Sequence, residues 1–154
     1  MKTLRRRRKE AKTDYKARFN LLKSGKPRLV VRKTNRYILA QIVETEIAQD
    51  KVLVKVSSKD LLEKGWPKEK FGSLKSLQAA YLTGFLLGKK AKQKELILDI
   101  GLNRNVRGSR IFAVLKGAID AGIKIHHDSS VLPTEERLKA NEKLKDLLKI
   151  KEKL

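Results

Sequence analysis

The chain has no cysteine, three prolines and only eight aromatic residues (three Tyr, four Phe and one Trp) in 154 positions. Without cysteine there is no disulfide, no thiolate nucleophile and no cysteine-ligated zinc, and nothing points to an oxidising compartment. Eight aromatics are too few, once a core has taken its share, for a platform on which successive bases could stack. No run reaches the roughly 18 to 20 apolar residues of a membrane-spanning helix, and the first residues lack the apolar segment of a signal peptide. A soluble, intracellular protein with no membrane partner is expected. Acidic residues are scarce too: 17 Asp and Glu face 38 Lys and Arg, a formal net charge of +21. Such self-repulsion opposes compaction unless a polyanion neutralises it, so a phosphate-rich partner is expected.

The charge is unevenly distributed. Residues 1–36 hold fifteen basic side chains against Glu10 and Asp14, a net of +13, leaving +8 for the rest of the chain. A solvated surface normally mixes both signs, whereas a block of one sign reads as an electrostatic footprint. Taken alone, the run Arg5, Arg6, Arg7, Arg8 and Lys9 fits an RNA-binding arm, a localisation signal or a solvated tail. Its continuation through Lys12, Arg18 and Lys26 into Arg28, Arg32, Lys33 and Arg36 favours an extended nucleic-acid surface.

From about Glu10 to Lys23 the spacing of Tyr15, Phe19 and Leu22 predicts a basic helix with one apolar stripe. Gly25 and Pro27 stop it. Three strand-like runs follow, at 28–34, 37–44 and 51–57, the first two joined by Asn35-Arg36 in a tight hairpin. A strong helix pattern covers 73–92, where Ala80, Gly84 and Gly88 recur every fourth residue and would let the helix approach a sheet closely. ELILDIG at 95–101 reads as a parallel strand covered on both faces. A helix capped by Ser109 and ended by Gly122, a last strand at 123–126, and a Lys/Glu-rich helix from Pro133 to near Leu154 complete the chain. This order predicts a three-layer α/β fold of the ribonuclease H-like type: a mixed five-stranded sheet, antiparallel meander then parallel strands, with helices on both faces. The expected division is a basic arm and helix over 1–26, an α/β core over 27–130 and a helical tail over 131–154.

Asn35 and Arg36 at an exposed tip can bond phosphate and base edges together. Arg104, Arg107 and Arg110 lie between a buried strand and a helix, where α/β folds bind ligands and helix N-termini attract anions; no Walker spacing accompanies them. Adjacent His126 and His127 point to opposite faces of a strand and cannot easily share a metal ion. Trp66, before Pro67, reads as a loop anchor against the core. A ribonuclease H-like nuclease holds two metal ions with carboxylates, one on its first strand, yet residues 28–34 carry no acid and Asp99 is the only acid inside a later apolar strand. No catalytic role, cofactor, metal or small-molecule substrate is expected. A generic DNA- or chromatin-binding protein is the alternative, although no helix-turn-helix or zinc pattern is present.

The stretches DYKARFNLLKSGKPRLVVRKTNRYILAQIVE (14–44), AAYLTGFLLGKKA (79–91) and GSRIFAVLKGAIDAGIKIHHD (108–128) resemble the archaeal and eukaryotic branch of large-subunit ribosomal protein eighteen, a 5S rRNA-binding family. The resemblance implies a structural protein that helps attach 5S rRNA to the large subunit in its central protuberance, beside large-subunit rRNA and neighbouring ribosomal proteins. By position it turns the N-terminal arm (Tyr15 among its candidates), Arg28, Arg32, Asn35 and Arg36 toward 5S rRNA, with the loop from Arg104 to Arg110 as a further contact. The chain departs from relatives at His126-His127, where Pro-His is usual, and in a C-terminal extension that is often longer in them.

Overall fold

The computed structural model describes residues 6–47, 49–92 and 95–139. In chain order the regular elements are α1 (Arg6–Lys9), α2 (Tyr15–Lys23), β1 (Arg28–Lys33), β2 (Ile38–Glu46), β3 (Gln49–Ser57), α3 (Leu77–Lys90), β4 (Glu95–Asp99), α4 (Arg110–Asp120), β5 (Lys124–Ile125) and α5 (Glu135–Lys139). Arg5 and the predicted helix beyond residue 139 lie outside the described residues.

Alternation along β1 sends Leu29 and Val31 to one face of the sheet and Arg28, Val30 and Arg32 to the other. The antiparallel register sets Leu29 opposite Ile42, Val31 opposite Ala40 and Lys33 opposite Ile38. Leu29, Val31, Ile38, Ala40 and Ile42 are fully buried. Helices α3 and α4 lie over this face and against each other, α3 above β2 and β3, α4 above β1 and β5. The strand order is β3-β2-β1-β4-β5, with β1 parallel to β4 and β4 parallel to β5. That is the predicted mixed α/β architecture, with α2 against the second face. Trp66 anchors its loop in the core as predicted, 7% exposed.

Three local expectations are corrected. The N-terminal helix does not start at Glu10: Ala11 adopts φ 49°, and Asp14 caps a new start by accepting from the backbone N–H of Lys16 and Ala17, both at 3.0 Å. The small residues of α3 approach a helix, not the sheet. A Cβ on Gly84 would stand 2.0 Å from the Val114 carbonyl oxygen, and one on Gly117 of α4 would stand 2.0 Å from that of Tyr81. Each helix thus presses its backbone into the other where a side chain is missing. Ser109 occupies the N-cap position of α4 without making a side-chain cap hydrogen bond; its hydroxyl oxygen is buried without a partner.

Candidate nucleic-acid interface

The second face of the sheet is organised by a buried cation. Arg28, only 2% exposed, donates to Asp99 Oδ2 on β4 at 2.9 Å, to Asp50 Oδ1 on β3 at 2.7 Å and to Thr45 Oγ1 on β2 at 3.1 Å. One planar guanidinium therefore ties its own strand to three others, as a fork of fixed donors can and a lysine cannot. Arg18 of α2 donates to the second oxygen of Asp50 at 2.7 Å and so fastens the helix over this face. Desolvation opposes the charge on Asp50, but hydrogen bonds from Thr45 and Arg18 and the charges of Arg28 and Arg18 outweigh it and hold the carboxyl below its ordinary range. Asp99 also accepts from the Gly101 N–H at 2.9 Å and, more weakly, from Arg32 at 3.3 Å.

Arg28 is thus a correction to the sequence reading: its guanidinium is buried and committed to Asp99, Asp50 and Thr45, so it is not presented to RNA. Arg32 is half committed. Its NH1 donates to the carbonyls of Val31 and Asp99, while 43% of the side chain stays exposed. Gly101, at φ +58°, lets that guanidinium lie directly over the loop backbone, where a Cβ would meet it at 2.9 Å.

Topology gathers several of the exposed cations. Because β1 and β4 run parallel, the hairpin tip after β1 and the loop after β4 leave the same end of the sheet. The tip is closed by the Thr34 N–H donating to the Tyr37 carbonyl at 2.9 Å, and Lys33, Asn35 and Arg36 are exposed on it. The loop is held by Asn103 Nδ2 on the Ile100 carbonyl at 2.7 Å and by the Gly108 N–H on the Val131 carbonyl at 2.9 Å. Arg104, Arg107 and Arg110 are exposed along it. The chain enters α2 at this end too: Lys12 and Thr13 line a cleft of about 680 Å³ together with Asn20, Arg32, Gly101 and Asn103.

Other candidates sit elsewhere or are spoken for. Lys26 is at the opposite end of β1, paired with Glu95, whose carboxyl it holds below the ordinary range. Arg6 and Lys12 both reach Glu10, at 2.9 and 2.8 Å. Lys9 is exposed and Tyr15 half-buried on α2. Sequence reasoning missed Arg137 of α5, an exposed side chain whose guanidinium crosses Gly108 where a Cβ would meet it at 2.5 Å. It also missed the outward lysines Lys16 and Lys23. Only the density of basic residues in α2 hinted at those two, and nothing local pointed to Arg137. Nearby, the Ser130 N–H and hydroxyl hold the Asp128 carboxyl below its ordinary range, aided by Arg107 and His127. The ring of His127 meets the Ile125 carbonyl at 2.7 Å.

Fold and site together define a mixed α/β module with exposed Lys33, Arg36, Arg104, Arg107 and Arg110 at one end of the sheet, an arrangement suited to a polyanion. A family model described as ribosomal large subunit proteins 60S L5 and 50S L18 matches residues 1–96 and 91–128. Curated relatives bearing the name large ribosomal subunit protein uL18 include one from Methanothermobacter thermautotrophicus, 47% identical over 137 residues that cover 87% of this chain and 69% of the relative. One from Methanoculleus marisnigri is 52% identical over 137 residues, covering 87% and 76%. Another, from Methanoregula boonei, is 46% identical over 153 residues, covering 94% and 86%. The chain belongs to this family of large-subunit ribosomal proteins. It is a structural component of the cytoplasmic ribosome's large subunit and not an enzyme. Asp99, the buried acid of β4, is a counter-ion for Arg28 and Arg32.

Proposed function

We propose that the chain binds 5S rRNA and helps attach it to the large subunit in the central protuberance, between large-subunit rRNA and neighbouring ribosomal proteins. The observation that carries this reading is the convergence of the entry to α2, the β1–β2 tip and the Arg104–Arg110 loop on one end of the sheet. Arg and Lys fix phosphates there and gain affinity by counterion release, at a log–log salt slope of about −0.7 per phosphate on single strands and about −0.9 on B-form duplex. Discrimination comes from the fold of the RNA and from contacts to unpaired bases. The arm of residues 1–26 extends this footprint, Arg5, Arg7 and Arg8 included, and the tail of residues 131–154 adds Arg137.

The test is a filter-binding competition at about 0.15 M salt, the physiological ionic strength, with labelled 5S rRNA against unlabelled tRNA and duplex DNA of similar length. Survival of the 5S complex in a large excess of both competitors supports the reading. Equal competition by all three makes the surface a non-specific polyanion binder and refutes it.

A further inference from the structure

Along the apolar stripe of α2, Tyr15 and Leu22 are half-buried while Phe19 is exposed. Arg18 reaches Asp50, and Ala17 and Leu21 line the cleft beside the strands, so the inner side of α2 is the one carrying residues 14, 17, 18 and 21. Phe19 lies roughly a quarter-turn from Arg18 and is 59% exposed. A single exposed apolar side chain is ordinary on a protein surface; the surroundings of this one are not. Lys23 holds its ammonium 4.9 Å from the ring centroid. Lys16, three residues before the ring, shares its helix face. Neither lysine has a carboxylate partner among the described residues, and the helix lies within the +13 block.

An apolar protein partner that covered Phe19 would have to desolvate two unpaired ammonium groups. An unpaired nucleotide meets both needs, offering a π-face to the ring and phosphates to the lysines. We propose that Phe19 is a stacking point for one unpaired base of the bound RNA, with Lys16 and Lys23 on the phosphates flanking that base. This rests on the RNA-binding reading above and assigns one of its unpaired-base contacts to a side chain.

The test uses the full chain and a 5S rRNA transcript. Phe19→Ala weakens binding about 5- to 150-fold, the range found when one base–aromatic stack is removed, and leaves the salt slope unchanged because no phosphate contact is lost. Lys16→Ala with Lys23→Ala makes the slope shallower by about 0.7 for each phosphate released. Phe19→Trp keeps binding and supplies a reporter: its emission falls as RNA saturates the protein, whereas wild-type emission, from buried Trp66 alone, does not. Wild-type affinity in Phe19→Ala, or unquenched Phe19→Trp emission at saturation, overturns the proposal. So does emission that RNA leaves unchanged and that shifts to the blue only when ribosomal proteins are added, which gives the ring to a protein partner. Quenching by 5S rRNA and tRNA alike sustains the stacking point while refuting 5S preference, so the two readings fail separately.

Discussion

Replacing Arg28 by Met keeps much of the side-chain volume and removes the cation at the centre of the second sheet face. The loss falls unevenly on its two carboxylates. Asp50, 31% exposed at its side chain, keeps Arg18 at 2.7 Å and the Thr45 hydroxyl at 2.8 Å. Asp99, 9% exposed, keeps among the described residues the Gly101 N–H and the long contact from Arg32. Removing one member of a buried ion pair costs about 3 to 5 kcal/mol. The residual partners of both acids place this case at the lower end, about 3 kcal/mol. For a chain of this size that lowers Tm by roughly 6 to 12 °C. Urea titration and thermal unfolding measure it directly. Arg28→Lys keeps the charge but cannot serve acceptors on three strands in one plane, and falls between the two. A double-mutant cycle with Asp99→Asn returns a coupling of about 0.5 to 3 kcal/mol.

If Arg28 instead faced RNA, the pattern would invert. Arg28→Met would then leave Tm unchanged and make the salt dependence of RNA binding shallower by about 0.7 to 0.9. That result would refute the buried hub. The two outcomes share no observable, so one variant with two assays decides between them.

Asp50, held below its ordinary pKa, contributes stability that is present above the unfolded value of 3.8 and lost as pH falls through the lower folded value. Asp50→Asn is therefore destabilising at neutral pH, with a difference from wild type that shrinks below about pH 4; a difference independent of pH would show that the charge on Asp50 is not what stabilises the fold. Gly84→Ala and Gly117→Ala each force a methyl into backbone at the α3–α4 crossing and lose at least about 1 to 3 kcal/mol. Gly72→Ala, with nothing within 4 Å, is the near-neutral control in the same unfolding assay. Arg36→Ala leaves stability unchanged and makes the RNA salt slope shallower by about 0.7 to 0.9. Replacing Lys151 and Lys153 affects RNA binding less than replacing Arg32 and Arg36; equal losses would mean that the sheet end is not the interface.

Most of the architecture was legible because it is written in local pattern. Alternation in 28–34 and 37–44, with Asn35-Arg36 between them, specifies a hairpin, and the meander and parallel crossovers follow from element order. Arg28 was misread for a physical reason. A period of two says that residues 28, 30 and 32 share a face, but not whether a helix covers it. The partners that bury Arg28 are 22 and 71 residues away, beyond any local window. On α2 the spacing left the orientation of the helix open. Apolar spacing predicts which residues share a side, whereas the Arg18–Asp50 pair decides which side turns inward.

The burial of Arg28 and the orientation of α2 have a common origin in the charge balance. The few acids of a +21 chain carry disproportionate structural weight, and two of them, Asp50 and Asp99, are spent inside a network of three arginines, Arg18, Arg28 and Arg32. Because those acids satisfy inward cations, they cannot neutralise the outward ones. The pairing that fixes four strands and α2 therefore also leaves Lys33, Arg36, Arg104, Arg107 and Arg110 exposed. An added carboxylate near the tip would relieve repulsion in the free protein and compete with phosphate in the bound one. Stability without RNA and affinity for RNA are thus opposed at the sheet end, while at the Arg28 hub they are decoupled.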